Sequence, residues 1–237
     1  MKVKLLSIII VILIVSTALY ARGPKGQGQG FNSTGNNAGD HLEIYPMEDL
    51  NNAEAQGLIK MREEEKLARD VYAALYEKWN VPVFKNIAAS EDQHMSAVKS
   101  LLSRYNLQDP VVTNEPGIFT DPEFTGLYKD LVTKGSQSIE AAFGVGAMIE
   151  DLDIADLKKL AGATDNQDVA AVYENLIRGS ENHLRAFVKQ LSRYGQSYAP
   201  AYISQDDYDS IINNSGDRGN NNFNRGNGNG NYYRNSL

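Results

Sequence analysis

The sequence predicts an all-α protein folded as an antiparallel four-helix bundle. Four long segments carry apolar residues at alternating three- and four-residue steps, the spacing of one buried helix face. No stretch of useful length alternates polar and apolar residues with a period of two, as a half-buried strand would. A proline-rich stretch also separates the four segments into two pairs, which indicates a long connection between two helical hairpins.

The first pair of helices is expected at 52–79 and 84–105. Pro82 stops the first helix, and Asp109 with Pro110 closes the second. Because only a few residues join the two helices, we expect them to pack as an antiparallel hairpin.

The second pair follows a long crossover. Residues 106–125 carry three prolines and are expected to hold one short helix at 121–134, with Asp121 as its N-cap. The third long helix is expected at 136–151. Asp153 is then expected to cap a separate short helix, and the fourth long helix to occupy 166–194.

The two ends of the chain differ in composition from the middle. Residues 1–21 combine two lysines, a long apolar run and small residues, which predicts a secretory signal peptide; an uncleaved N-terminal anchor is the alternative. Both predict an exported protein, in the periplasm, at the cell surface or outside the cell. Residues 22–41 are expected to form a flexible linker and 213–237 a disordered Asn/Gly-rich tail. One globular domain remains, at 42–212.

Composition excludes several classes of function. The chain has no cysteine, which rules out thiolate metal sites, iron–sulfur clusters and thiol nucleophiles. Its net charge is -7, and loss of Lys2 and Lys4 with a cleaved signal would make it -9. An acidic domain argues against nucleic acid or an anionic membrane as partner. No glycine loop for a nucleotide cofactor is present.

The second helix contains the most informative pattern. Its apolar stepping through Phe84, Ile87 and Val98 passes through Glu91 and His94. A buried carboxylate is costly unless it is paired or bound to a metal. An inward Glu-x-x-His is also half of the ligand set with which four-helix bundles hold two metal ions. This pattern predicts a metal site.

The other long helices offer similar groups on their apolar faces. Glu64 lies on the stripe of the first helix, Glu140 and Glu150 share a face of the third, and His183 lies on the stripe of the fourth. Carboxylate and imidazole ligands favour iron, with manganese or zinc as alternatives. The alternatives without a metal are that the glutamates at 63–65 form a solvated helix face and that His183 is a core histidine with ordinary hydrogen bonds.

Several segments resemble a known family. They are EEEKLARDVY, SEDQHM, IEDLDIADL, YENLIRGSENHLRAF and YAPAYIS, spread over residues 61–211. They are similar to an uncharacterised bacterial family, domain of unknown function 2202, placed in the ferritin-like superfamily. The resemblance implies a ferritin-like four-helix bundle with short extra helices. It also implies metal ligands from each long helix, and the residues that match in order are Glu64, Glu91, His94, Glu150 and His183.

One position departs from the superfamily pattern and leaves three functions open. Ser180 stands where a fourth-helix glutamate would be, and Glu181 is turned about 100° away on an ideal helix. The first function is a di-metal oxidoreductase acting on dioxygen or peroxide. The second is a metal-binding or metal-sensing module without turnover. The third is a metal-free adaptor in which the inward glutamates and histidines pair with each other and with Arg62, Arg69 or Arg178.

Overall fold

The structure, a computed structural model, describes residues 42–214 and contains only helices. After a single 3-10 turn at Leu42–Ile44 come six α-helices: α1 (Asn52–Trp79), α2 (Pro82–Arg104), α3 (Pro122–Gly135), α4 (Ile139–Ala163), α5 (Gln167–Arg193) and α6 (Gln205–Asn213). No strand occurs in this range. The prediction of an all-α helical bundle is therefore confirmed.

Local signals define the first hairpin. Asn51 caps α1: its side chain accepts from the Glu54 amide at 3.0 Å, and the Glu54 side chain accepts from the Asn51 amide at 2.9 Å. At the other end Asn80 adopts a left-handed conformation with φ 51°, and Pro82 is already the first residue of α2. The second helix thus begins two residues earlier than the sequence predicted.

The third long helix differs from the prediction. The sequence predicted an end at residue 151 and a new helix capped by Asp153, whereas α4 runs unbroken from Ile139 to Ala163. Asp153 lies inside this helix and does not cap one, and its carboxylate accepts a hydrogen bond from Ser180 on the neighbouring α5. Ile154 and Leu157 continue the buried face of α4 past this point, so packing favours one continuous helix.

The four long helices form a ring in which α1 and α5 each pack beside both α2 and α4. Helices α2 and α4 are therefore diagonal, and the connection between them must cross one face of the bundle. Neighbouring helices run antiparallel: along the α2–α5 interface Phe84 lies beside Phe187, while Tyr105 at the other end bonds Asp168. The predicted long crossover is the connection between α2 and α4, and the helix α3 within it packs on α1 and α4.

The outer face of α1 holds the crossover in place. Lys66 is buried and lies 2.5 Å from Asp70 Oδ2, and it donates to the Glu115 carbonyl at 2.9 Å. The Gly117 amide donates to the same aspartate at 3.0 Å. Glu63 accepts from the next part of the crossover, including the Thr120 amide at 2.6 Å. Charged residues of the EEEKLARD segment thus hold the connection to the bundle.

A carboxylate of α4 fastens the segment after α5. Asp151 accepts hydrogen bonds from the Tyr198 hydroxyl at 2.7 Å and from the amides of Ala201, Tyr202 and Ile203 at 2.6, 3.2 and 3.0 Å. These hydrogen bonds give a structural role to the YAPAYIS segment, which contains all four donor residues. It also leads the chain into α6, a helix that the sequence did not predict.

Several predictions fall outside the described residues. The signal peptide or anchor at 1–21, the linker at 22–41 and nearly all of the tail at 213–237 belong to this group. Within 42–214, none of the helices combines the length and apolar character needed to cross a membrane.

Candidate metal centre

Glu91 lies between two imidazoles near the middle of α2. Its Oε2 atom is 2.8 Å from Nδ1 of His94, one turn further along the same helix. Its Oε1 atom is 2.8 Å from Nδ1 of His183 on α5. The two imidazole rings stack with their centroids 5.4 Å apart. One carboxylate therefore joins two histidines through separate oxygen atoms.

Two more carboxylates complete two overlapping groups. Glu65 Oε2 of α1 lies 3.2 Å from His94 Nδ1, and Glu150 Oε2 of α4 lies 3.5 Å from His183 Nδ1. In each group, one ligand atom from each of the three residues lies within 4.8 Å of the others. Every long helix contributes to the cluster, and Glu91 belongs to both groups.

The cluster contains buried polar atoms without hydrogen bonds. Among the described residues, Glu65 Oε1, Glu91 Oε1 and His183 Nδ1 have no hydrogen-bond partner. The last two atoms therefore approach to 2.8 Å without hydrogen-bond alignment. An unsatisfied buried polar group costs about 1–3 kcal/mol. A bound cation would supply the partner that these atoms lack.

Side chains around the cluster orient its members. Ser90 Oγ lies 2.9 Å from His183 Nε2, so this nitrogen is engaged outside the cluster while Nδ1 faces the carboxylates. The Tyr72 hydroxyl donates to Glu150 Oε1 at 2.5 Å. Outer contacts of this kind fix the orientation of metal ligands in proteins, and their loss typically weakens metal binding.

Burial and mutual charge shift the pKa values of the cluster in opposite directions. Burial, opposed by His94, raises the pKa of Glu65 to about 8. Burial also raises the pKa of Glu150, and Glu91 adds to the rise. Burial disfavours the charged form of Glu91, yet the two imidazoles hold its pKa well below its usual range. Burial opposes the charge on His183, but Glu91 and Glu150 raise its pKa to about 10.

Four of the five residues predicted as ligands come together here: Glu91, His94, Glu150 and His183. The fifth, Glu64, lies outside both groups. Its Oε1 accepts from Lys60 at 2.7 Å, while its buried Oε2 makes no hydrogen bond. Its neighbour Glu65 occupies the position beside His94 instead. Glu140, near the start of α4, also lies outside the groups.

The sequence contained a signal for Glu65. The innermost residues of α1 follow alternating three- and four-residue steps, and this stripe consists of Leu58, Met61, Glu65, Ala68, Tyr72 and Leu75. The predicted stripe runs through Glu64, Leu67 or Ala68, Val71 and Leu75, and on a helix Glu64 is turned about 100° from Glu65. Leu67 and Val71 are buried too, so the apolar face of α1 is wide and its centre is hard to place from the pattern.

The sequence did not predict the position of Asp153 or the contact of Tyr72 with Glu150. Asp153 does not cap a helix but lines a cavity of about 30 Å³ together with four glutamates, Glu64, Glu65, Glu91 and Glu150. The other walls of this cavity are mostly apolar side chains of α1, α3 and α4, with Tyr202 from the segment that Asp151 fastens. A cavity of this size has space only for a very small molecule.

The chain is similar to a known family and to a relative whose crystal structure has been solved. Residues 54–215 match a family described as an uncharacterized protein domain, DUF2202. The chain is 54% identical over 180 residues to the uncharacterized protein MJ0754 of Methanocaldococcus jannaschii. This alignment covers 76% of this chain and 97% of the relative. A crystal structure of the hypothetical protein MJ0754 from Methanococcus jannaschii DSM 2661 matches with a TM-score of 0.70 and 56% identity, over 70% of this chain and 95% of that one. The chain therefore belongs to the DUF2202 family of uncharacterized protein domains.

Proposed function

We propose that this protein is a ferritin-like bundle that binds two transition-metal ions, iron or manganese, and reacts there with dioxygen or peroxide. The observation that carries the proposal is the position of Glu91, whose two oxygens each lie 2.8 Å from a different histidine. Bundles that hold two metal ions use inward glutamates and Glu-x-x-His motifs, and Glu91 with His94 forms one such motif. From the sequence of residues 1–21 we further propose that it acts outside the cytoplasm.

The donor set suits such ions. Carboxylate oxygens and imidazole nitrogens bind iron, manganese and zinc, and the chain has no cysteine to favour softer sites. Within residues 42–214, no lysine or arginine forms an ion pair with Glu65, Glu91 or Glu150. Their nearest cations are the two histidines, which compensate them only when protonated, and buried carboxylates without a compensating charge are costly. Metal cations would neutralise them.

The surroundings fit a redox reaction with a small oxidant. Two bound ferrous ions would supply two electrons, which with two protons reduce one peroxide molecule to two water molecules. The cavity beside Glu65 and Glu150 leads to the carboxylate side of the cluster, and its mostly apolar walls favour a small uncharged molecule. Tyr72 and Ser90 hold Glu150 and His183 in place during such a reaction.

A metal-free bundle is the second candidate. The pKa of His183, raised to about 10, favours it, because a protonated imidazole does not bind a metal. The arginines expected to join such a network, however, have other partners. Arg62 bonds Asp109, Arg69 bonds Asp70 and Asp92, and Arg178 bonds Asn175.

Metal analysis separates the candidates. The purified protein should be stripped with a chelator, reloaded with ferrous iron without oxygen, and analysed for iron per chain. We expect about two ions per chain, as the two ligand groups predict. Addition of hydrogen peroxide or dioxygen should then consume the oxidant as the iron is oxidised, which a binding module without turnover would not do.

A matched pair of variants assigns the metal to this cluster. Glu91→Gln should lose most of the iron, because Glu91 belongs to both groups. Gln93→Ala should keep it, because Gln93 lies on the exposed face of the same helix turn. Failure of the unmodified protein to bind any transition metal would support the metal-free bundle. Metal binding without consumption of the oxidant would indicate a metal-binding module without turnover.

A further inference from the structure

Ser180 lies on the buried face of α5, one turn before His183. Bundles with two metal ions use a Glu-x-x-His motif on such a helix, so a carboxylate would be expected at position 180. Here the side chain is a hydroxyl, and Ser180 Oγ donates to Asp153 Oδ2 at 2.5 Å. The carboxylate that contacts the residue at position 180 therefore belongs to Asp153 of α4.

Asp153 lies outside both ligand groups but close to their negative charges. It follows Glu150 by three residues, which puts both on one face of α4, and it lines the same cavity as Glu65 and Glu91. Burial raises the pKa of Asp153 well above its usual range, Glu65 and Glu150 raise it further, and the hydrogen bond from Ser180 lowers it. No ion pair with a lysine or arginine compensates this carboxylate within residues 42–214.

A separate observation points to a ligand in this space. Glu65 is only 2% exposed, and its Oε1 atom makes no hydrogen bond among the described residues. It lines the cavity with Asp153, so an unpartnered buried oxygen and an uncompensated carboxylate border the same small volume. Both would gain a partner from a cation bound between them.

We propose that Asp153 is the fourth carboxylate ligand of the metal centre, supplied by α4 in place of a glutamate on α5, with Ser180 as its positioning residue. The inference rests on the proposed function. With Asp153 included, four carboxylates line the cavity besides Glu64, whose charge pairs with Lys60, and these four negative charges balance two divalent cations when the histidines are neutral. Glu65, Glu91 and Glu150 alone would leave one positive charge uncompensated.

The test is metal binding by Asp153→Asn, a variant that keeps the shape of the side chain and removes its charge. Chelator-treated protein would be titrated with manganese(II) by calorimetry, and bound metal counted after gel filtration. We expect either the loss of one of two ions or a fall in the affinity of one site of about 10- to 100-fold, the range found when support of a metal site is lost.

Two further variants make the result specific. Asp156→Asn removes a carboxylate one turn along the same helix, where it pairs with Lys60 at 2.7 Å, and it should leave binding unchanged. In the double variant Asp153→Asn/Ser180→Glu, a carboxylate returns from α5, and we expect the lost ion or affinity to be regained. Such rescue would not follow if Asp153 served only to stabilise the fold. Thermal unfolding of each variant checks that it is folded.

The outcomes separate this inference from the proposed function. If the unmodified protein and Asp153→Asn both bind two ions with equal affinity, Asp153 is not a ligand and the di-metal centre stands without it. If Asp153→Asn loses an ion and the double variant does not regain it, a role for Asp153 as a carboxylate donor is overturned. If the unmodified protein binds no metal, both proposals fail.

Discussion

Gly179 of α5 lies directly against the imidazole of His94 on α2. A Cβ atom at Gly179 would overlap His94 Nε2 and lie 2.6 Å from Cε1 of the same ring. The helices approach closely here because position 179 has no side chain. This contact supports the ring from behind while Nδ1 lies 2.8 Å from Glu91.

We expect Gly179→Ala to weaken metal binding by about 10- to 100-fold, because the added methyl group displaces the His94 ring. Manganese(II) titration by calorimetry measures the change. The matched control is Gly144→Ala in α4, where a Cβ meets no atom within 4 Å. The control should gain up to about 1 kcal/mol of stability from helix propensity and keep its affinity. Equal affinities of the two variants would contradict the prediction.

Glu65 and Glu64 are adjacent in sequence and differ in their partners. Glu65→Gln should remove one of two bound ions or weaken its binding, because Glu65 Oε2 lies 3.2 Å from His94 Nδ1 in one ligand group. Glu64→Gln should leave two ions, because Glu64 pairs with Lys60 outside both groups. The number of metal ions bound per chain, measured on the two purified variants, decides which glutamate is the ligand. Loss of an ion in Glu64→Gln alone would support Glu64, the ligand predicted from the sequence.

The stability of the metal-free protein should fall as pH rises from about 6 to about 10. The pKa of His183 is raised to about 10 from its ordinary 6.5, so its contribution to stability is complete below pH 6.5 and is lost as pH rises through the raised value. Glu65, with its pKa raised to about 8 from 4.5, acts in the same direction. Thermal unfolding after chelator treatment, at several pH values in this range, measures the effect.

Metal should change this dependence. Binding requires a neutral imidazole and ionised carboxylates, so affinity should increase over the same pH range and protons should be released. The loaded protein should therefore be stabilised most at the alkaline end. His183→Gln should flatten the pH dependence of the metal-free protein. A metal-free protein that is equally stable at both ends of the range would contradict the prediction.

Lys66 stabilises the crossover from inside the protein. We expect Lys66→Ala to lower the free energy of unfolding by about 1–3 kcal/mol, because the buried carboxylate of Asp70 loses its partner at 2.5 Å but keeps Arg69 at 2.7 Å. Urea unfolding followed by circular dichroism measures the loss. Lys99→Ala, an exposed lysine of α2, should stay within about 0.5 kcal/mol of the unmodified protein. A loss in Lys66→Ala as small as that of the control would show that the ion pair contributes little.

The fold could be predicted from the sequence largely because its signals are local. Apolar periodicity located the four long helices, and Asp121 was correctly expected to cap α3, where its side chain accepts from the Glu123 amide at 2.9 Å. The predicted break in α4 was wrong because an aspartate inside a helix has the same sequence signature as an N-cap. Only the partner on the neighbouring helix α5, Ser180, distinguishes the two cases.

The candidate site was predicted where polar residues interrupt a narrow apolar stripe, as Glu91 and His94 do. On α1 three glutamates follow one another, and three different contacts decide their roles. Glu63 accepts from the crossover amides, Glu64 pairs with Lys60, and Glu65 faces His94. These partners come from the crossover, from α1 itself and from α2, so the periodicity of a single helix could not separate them.

The two ligand groups differ in how much of the chain each needs. Glu65, Glu91 and His94 all belong to the hairpin of α1 and α2, whereas the other group joins Glu91 to Glu150 and His183 from the second hairpin. The first group can therefore assemble as soon as residues 52–104 have folded on themselves. The second exists only after the two hairpins have docked, so occupancy of the second group would report completion of the tertiary fold.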